Sequence, residues 1–323
     1  MGGEPELRRL VEEAVAVARG GVVAISSLST ERSRYATRSV AGTVTAELAD
    51  GSFERIFVKT IDPGGGEDPD KLPRDREPRV YRRLLDHRQL PAAAFLAART
   101  SAFSGVHYLA LEHVDDWSLK YQELEHWYTA ARRLAELHAH FAARVDDLRD
   151  CDFLLRLDQS YFAAWADRGV DAVERASTPL GRRLRQALRG HDEVAELLAS
   201  QPPTLVHNDL APKNVVAETS LRPARICFVD WELAGVGCGL LDLVHLMHGL
   251  PPDAEREMCS AYRDGLEGSD SPFADGAADH LLAACALQNT LYRLAHIGAW
   301  RVAGATVAGW VDEIERLSDG VRH

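Results

Sequence analysis

The chain reads as an α+β protein with a small antiparallel-sheet part first and a larger, mainly helical part after it. Three observations carry that reading. Short β-patterned runs with hairpin signals crowd the first third. From about Gln122 the apolar residues recur every three or four positions. One β-hairpin pattern, Asn214–Asp230, interrupts the helical part. With 323 residues there is chain enough for about two domains. The boundary is read near Val114–Trp117, giving 1–114 and 115–323.

Taken in order, MGGEPELRRLVEEAVAVARGG is broken by acidic residues. It reads as a short helix with one apolar face, not as a signal peptide. VVAISSLST (Val22–Thr30) and RSVAGTVTAEL (Arg38–Leu48) read as strands. Asp50-Gly51 is a hairpin signal leading to FERIFVKT (Phe53–Thr60). The segment Ile61–Asp70 contains Gly64-Gly65-Gly66 but no following Lys-Ser/Thr, so it reads as a surface loop. PRVYRRLLDH (Pro78–His87) reads as helix, with Pro78 in its first turn. AAFLAART and HYLALEHV (His107–Val114) read as two further strands. Beyond them Leu124, Trp127, Tyr128, Ala131, Leu134, Ala135, His138 and Phe141 mark a long amphipathic helix. More helices are expected to Ser200, and again from Asp230 to the C-terminus.

Charge and cysteine usage narrow the class. Residues 1–114 carry 16 basic and 16 acidic side chains, whereas residues 115–323 carry 21 and 33. The whole net charge of −12 therefore belongs to the second part. Such a surface disfavours nucleic acid and favours a cationic ligand through long-range attraction. No apolar run approaches the roughly 20 residues of a membrane span. Cys151, Cys227, Cys238, Cys259 and Cys285 form no C-x-x-C pair, as expected of reduced thiols in a cytoplasmic protein.

The chemistry centres on LVHNDLAPKNVV (Leu205–Val216). NVVAE and RICFV are apolar runs joined by a turn containing Pro223, so Asn214 opens one strand of a hairpin and Asp230 closes the other. Asp209 stands five residues before Asn214. The spacing H-x-D-x-x-x-x-N is expected about 0.01 times by chance in a chain of this composition. It matches the division of labour in protein kinases, where an Asp accepts the hydroxyl proton while Asn and a second Asp hold magnesium. Asp209 is thus the candidate base, and Asn214 and Asp230 are the candidate magnesium ligands. Kinase logic also asks for a lysine on the third strand, paired with a glutamate on the next helix. Lys59 and Glu77 fill these places, with Glu67 a rival. At the end of HYLALEHV, the Glu112 carbonyl and Val114 amide are candidates for contact with adenine, the base of ATP.

With these residues in place the sequence resembles the aminoglycoside phosphotransferase family, which includes choline kinase-like enzymes. FVKT, EPRVYRRLL, HYLALEHV, RRLAELHAHF, LVHNDLAPKNVV and FVDWELAGVGCGLLDLVHL match it in order. The resemblance implies a two-lobed protein-kinase-like fold, with extra helices shaping a substrate cleft. It implies transfer of the ATP γ-phosphoryl group to a small-molecule hydroxyl with magnesium. It also implies that His207 and Asp242 support the catalytic loop. Two departures stand out: His207-Asn208-Asp209 where the family often has His-Gly-Asp, and no glycine in Ser29–Arg38 to cover phosphates. Ser33, Thr37 and Arg34 are candidates for that task. An aminoglycoside-type acceptor fits the acidic second part, with Asp264, Glu267 and Asp279 as candidate contacts. Choline, other amino alcohols, sugars and macrolides are the alternatives. Trp165, Trp231, Trp300 and Trp310 could form a cage for a choline-type cation. A protein kinase would require a glycine-rich loop and an A-P-E segment, which the chain lacks. A pseudokinase would lack the base, the lysine or a metal ligand, and all are here.

Overall fold

The computed structural model describes residues 4–33, 40–64, 68–86, 89–114, 117–266 and 277–322. Arg34, Thr37, Glu67 and Glu267, named above as candidates, lie outside the described residues. The chain forms two compact units: Met1–His126 with Lys213–Ala234, and Trp127–Pro212 with Gly235–His323.

The first unit begins with helix α1 (Glu4–Arg19) and strands β1 (Ile25–Arg32), β2 (Val40–Leu48) and β3 (Phe53–Ile61). Helix α2 (Arg76–Val80) follows and widens into a π-helical turn at Tyr81–Leu85. Strands β4 (Phe95–Thr100), β5 (His107–Glu112) and β6 (Trp117–Ser118) come next. The second unit takes over with α3 (Leu124–Ala142), α4 (Val145–Arg149), β7 (Leu155–Arg156), α5 (Gln159–Ala176), α6 (Thr178–Ala187), α7 (His191–Ala199) and β8 (Pro203–Val206). The chain returns to the first unit for β9 (Val215–Glu218) and β10 (Arg225–Phe228). It ends in the second unit with β11 (Gly235–Cys238), α8 (Leu240–Met247), α9 (Pro252–Gly265), α10 (Ala277–Ala295), α11 (Ile297–Trp300) and α12 (Gly304–Arg322). Among the described residues no helix is long and apolar enough to cross a membrane.

In the first unit the strands are ordered β1-β2-β3-β5-β4, with every neighbour antiparallel. The Asp50-Gly51 signal is realised as a turn in which Leu48 N donates to Ser52 O and Gly51 takes φ 80°. Leu10, Val11, Ala14 and Val15, at helical spacing on α1, share a core with Val44, Ala46, Leu48, Ile56 and Val58. The strand positions alternate, so one face of the sheet is apolar; each fully buried Val, Leu or Ile adds about 1.5–3 kcal/mol. Pro78 occupies the third helical position, where its missing N–H has no helical acceptor to lose.

Three sequence expectations are corrected. The first unit extends past Trp117 to His126 and reclaims the 213–234 hairpin, because β6 pairs with β9 through Trp117↔Ala217 and Ser118↔Val216. The chain does not run as unbroken helix after Asp230, because Gly235–Cys238 forms β11 between β7 and β8. Trp231 lines no cage: it is fully buried, and its indole N–H donates to Phe228 O at 3.0 Å.

Candidate active site

In the first unit, the alternation of β3 places Lys59 against Ala41 of β2 and Leu109 of β5. Its Nζ lies 2.6 Å from Glu77 Oε2 and 2.5 Å from Asp230 Oδ1. Burial is the largest influence on both members of the Lys59–Glu77 pair. It pushes the Glu77 carboxyl up to about 7 against the pull of Lys59. On Lys59 it acts downward, but Asp230 and Glu77 overcome it and hold the ammonium far above its usual range. Lys59 is therefore a fixed positive charge on the inner end of the strand.

The hairpin sets the other two candidates together. Phe228 pairs with Val215, and Val229 N donates to Asn214 O at 2.9 Å. Asn214 and Asp230 thus flank the open end of β9–β10. Asp230 takes φ 73° and ψ 56°, a left-handed conformation that costs a non-glycine residue about 1 kcal/mol or more. The turn after it is braced by Arg76, 1 % exposed, whose Nη1 donates to Glu232 O at 2.6 Å and to Asp70 O. Its Nη2 donates to Leu72 O, and Lys71 pairs with the Glu232 carboxylate. Sequence reading missed Arg76 and Glu232; the only local signal was a basic residue beside Glu77.

Glu112 ends β5, and its carboxylate is engaged rather than free. Arg225 of β10 donates to both oxygens at 2.6 and 2.7 Å, and Ala94 N donates at 3.0 Å. Those hydrogen bonds, Arg225 first, hold the Glu112 carboxyl below its ordinary range. Val114 lies two residues on, half-buried. Ser33 closes β1 with its N–H donated to Ala41 O at 2.9 Å.

The second unit holds the candidate catalytic loop. Strand β8 runs antiparallel to β11 and delivers His207-Asn208-Asp209. Asp242, in the first turn of α8 and fully buried, accepts His207 N–H at 2.6 Å and Asn208 N–H at 2.8 Å. His138 Nε2 lies 3.4 Å from the same carboxylate, and Tyr262 OH lies 2.7 Å from His138 Nδ1. Burial alone would raise the Asp242 carboxyl; the hydrogen bond and charge of His138, with His207, outweigh it and lower it. Asn208 takes φ 63°, which explains why glycine or asparagine suits this position. Its Nδ2 donates to Tyr161 OH at 2.8 Å. Asp209 Oδ1 stands 3.8 Å from His245 Nε2. Burial depresses the His245 pKa, with Asp209 opposing and Arg293 reinforcing that shift.

Of the tryptophans, Trp165 and Trp300 meet, but around the protein's own groups. His296 stacks on Trp165 at 5.4 Å and on Trp300 at 4.9 Å, and the Arg168 guanidinium sits 4.5 Å from the Trp165 ring. Trp310 is half-buried on α12. Asp264 pairs with Arg132 at 3.4 Å, whereas Asp279 lines a cavity between α8, α9, α10 and α12.

Magnesium prefers one or two protein oxygens completed by water and substrate phosphate. Asn214 and Asp230 suit that demand. Among the described residues no group of three or more His, Cys, Asp and Glu forms a metal site of another kind.

Known structures share this architecture. A putative aminoglycoside phosphotransferase from Ralstonia eutropha JMP134 superimposes with TM-score 0.60 at 15% identity, covering 95% of this chain and 98% of its own. Plasmodium vivax ethanolamine kinase gives 0.58 at 10% identity, covering 91% and 82%. Choline kinase LicA from Streptococcus pneumoniae gives 0.56 at 13% identity, covering 98% and 99%. No curated protein matches the chain. The fold is therefore kinase-like, an antiparallel-sheet N-terminal lobe followed by a mostly helical part. Residues 43–277 match the phosphotransferase enzyme family, and to that family, a group of small-molecule kinases, this chain belongs.

Proposed function

We propose that this chain transfers the γ-phosphoryl group of ATP to a hydroxyl of a small, amine-bearing acceptor. The observation that carries the reading is Lys59, held at once by Glu77 at 2.6 Å and Asp230 at 2.5 Å. A strand lysine paired to a helix glutamate is the arrangement that grips the phosphates of a bound nucleotide. In the reaction the acceptor oxygen forms a bond to Pγ, the bond from Pγ to the ADP oxygen breaks, and the hydroxyl proton passes to the Asp209 carboxylate. Asn214 and Asp230 would hold magnesium, which when bound supplies charge neutralisation at the phosphates. Asp242 supports the catalytic loop by fixing two of its N–H groups, so that Asp209 is positioned rather than searching. Glu112 and Val114 are proposed to meet the adenine through their backbone.

The amine on the acceptor is supported by the acidic excess after residue 114. The names of the similar structures, with aminoglycoside, ethanolamine and choline among them, point the same way. A choline-type acceptor fits less well, because His296 and Arg168 already occupy the aromatic surfaces of Trp165 that a quaternary ammonium would need.

Phosphate transfer from Mg-ATP to a panel of aminoglycosides, amino alcohols and sugars, read by mass spectrometry, tests this. Asp209→Asn is expected to lower turnover by roughly 10²–10⁴-fold while sparing nucleotide affinity. Asp230→Ala is expected to weaken magnesium-dependent ATP binding. Unchanged turnover in the first variant, or an unchanged magnesium titration in the second, overturns the assigned role.

A further inference from the structure

The cavity between α8, α9, α10 and α12 belongs wholly to the second unit and has a volume of about 580 Å³, within the roughly 300–1,000 Å³ usual for small-molecule sites. Its floor holds an unusual pair. Asn289 and Arg293, four residues apart on α10, share one helix face and are 7 % and 8 % exposed. Arg293 Nη1 has no hydrogen-bond partner, and neither do Asn289 Oδ1 and Nδ2. A buried polar atom without a partner costs about 1–3 kcal/mol, and more when it belongs to a charged group. Both residues line the cavity, and a ligand reaching these three atoms would supply the partners they lack.

One side chain, His245, connects the neighbourhood of the cavity with Asp209, the proposed base. The α8 wall of the cavity is made by Val244, Met247 and His248. His245, on the next position of the same helix, stands 3.8 Å from Asp209. The His245 imidazole feels both Asp209 and Arg293. His245 thus lies within electrostatic reach of both Asp209 and Arg293. Tyr292, the residue before Arg293, has its ring 6.4 Å from that of His245.

Resting on the phosphotransferase reading above, we infer that the acceptor carries a carboxylate as well as an amine, and that Arg293 and Asn289 hold that carboxylate in this cavity. A guanidinium edge and a side-chain amide N–H match the two oxygens of one carboxylate. The amide oxygen remains to accept from the acceptor's ammonium or hydroxyl. Nη1 of Arg293, the guanidinium nitrogen without a partner, suits one oxygen of a carboxylate. The acceptor is then a zwitterionic hydroxy compound, of hydroxy-amino-acid or seryl-peptide type, rather than a pure polycation.

The test uses hydroxy-amino acids and seryl dipeptides, each as the free carboxylate and as the near-isosteric carboxamide. Binding to the full chain is read by calorimetry, and phosphate transfer from Mg-ATP by mass spectrometry. The expected result is carboxylates bound at least about tenfold more tightly than their amides. Arg293→Met should collapse that ratio to within about twofold. Asn289→Asp, which places a competing carboxylate beside Arg293, should do the same in a chain whose melting temperature shows it folded. Amides bound as well as acids, no binding by any free acid, or a ratio untouched in both variants overturns the inference. A carboxylate preference without phosphate transfer from ATP would leave the anion pocket standing and sink the phosphotransferase reading. Transfer to the amides, indifferent to Arg293, would do the reverse.

Discussion

At the scale of single residues, the conformation of the His207-Asn208-Asp209 loop is governed by Asp242 more than by its own letters. One fully buried carboxylate accepts the N–H groups of His207 and Asn208 and faces His138. Replacing it by Asn leaves one acceptor where there were two and removes the charge, at a cost of about 2–4 kcal/mol near neutral pH. The pH dependence has a definite sign. Because the folded carboxyl sits below its ordinary value of 3.8, its contribution is complete above that value and is lost as pH falls through the lower folded one. Denaturant unfolding of wild type and Asp242→Asn should therefore show a stability gap that is full at pH 6 and narrows as the solution is taken below pH 3.8. A gap independent of pH would mean that the neutral side chain does the bracing. The same loop shows how backbone conformation decides a letter: at φ 63°, Asn208 stands where the family often has glycine.

At the scale of elements, the least conspicuous strand has the most consequence. β11 is four residues long, yet it pairs with β7 on one side and with β8 on the other, and β8 feeds the catalytic loop. Gly237 is required there by close approach, since a Cβ would meet Leu157 Cβ at 2.7 Å. Gly237→Ala should cost about 1–3 kcal/mol by overpacking and lower turnover by moving β8. Gly309→Ala on α12, where nothing lies within 4 Å, should be neutral or raise stability by about 0.5–1 kcal/mol. Thermal melts of the two variants with matched activity assays check this; equal effects would remove the argument from close packing. The contrast also marks what a sequence can show. β2, β3 and their Asp50-Gly51 turn, and the periodic α3, were legible because local chemistry determines them. β7, β8 and β11 were not, being two to four residues long and stabilised only by partners distant along the chain. Among the candidates, Lys59, Glu77, Asp209, Asn214 and Asp230 could be picked out by spacing and order, and Asp242 by the family resemblance. Arg76, Arg225, Arg293 and Asn289 could not, because an arginine or amide on a helix or strand gives no sign of whom it meets.

At the scale of the whole molecule, the chain assembles its first unit from two separated segments. The sheet-bearing segment ends at His126, and the hairpin Lys213–Ala234 is supplied after the chain has built about half of the second unit. The hairpin brings Asp230 to Lys59, Arg225 to Glu112, Phe228 N–H to Pro91 O, and β9 to β6. Lys59 and Glu77 are buried, so removing Asp230 withdraws the foremost of the carboxylates that stabilise the buried ammonium. A fragment of residues 1–126 should retain the β1-β2-β3-β5-β4 sheet, whose strands and α1 all lie within it. It should nonetheless melt at a lower temperature than the same fragment joined through a Gly-Ser linker to residues 213–234. Only the joined form carries both proposed magnesium ligands, so only it should bind ATP with a magnesium requirement. Fluorescence titration of the two fragments with ATP, with and without magnesium, decides the matter. If residues 1–126 alone bind Mg-ATP as tightly as the joined form, the hairpin is packing and not part of the nucleotide site, and the roles given to Asn214 and Asp230 fall with it.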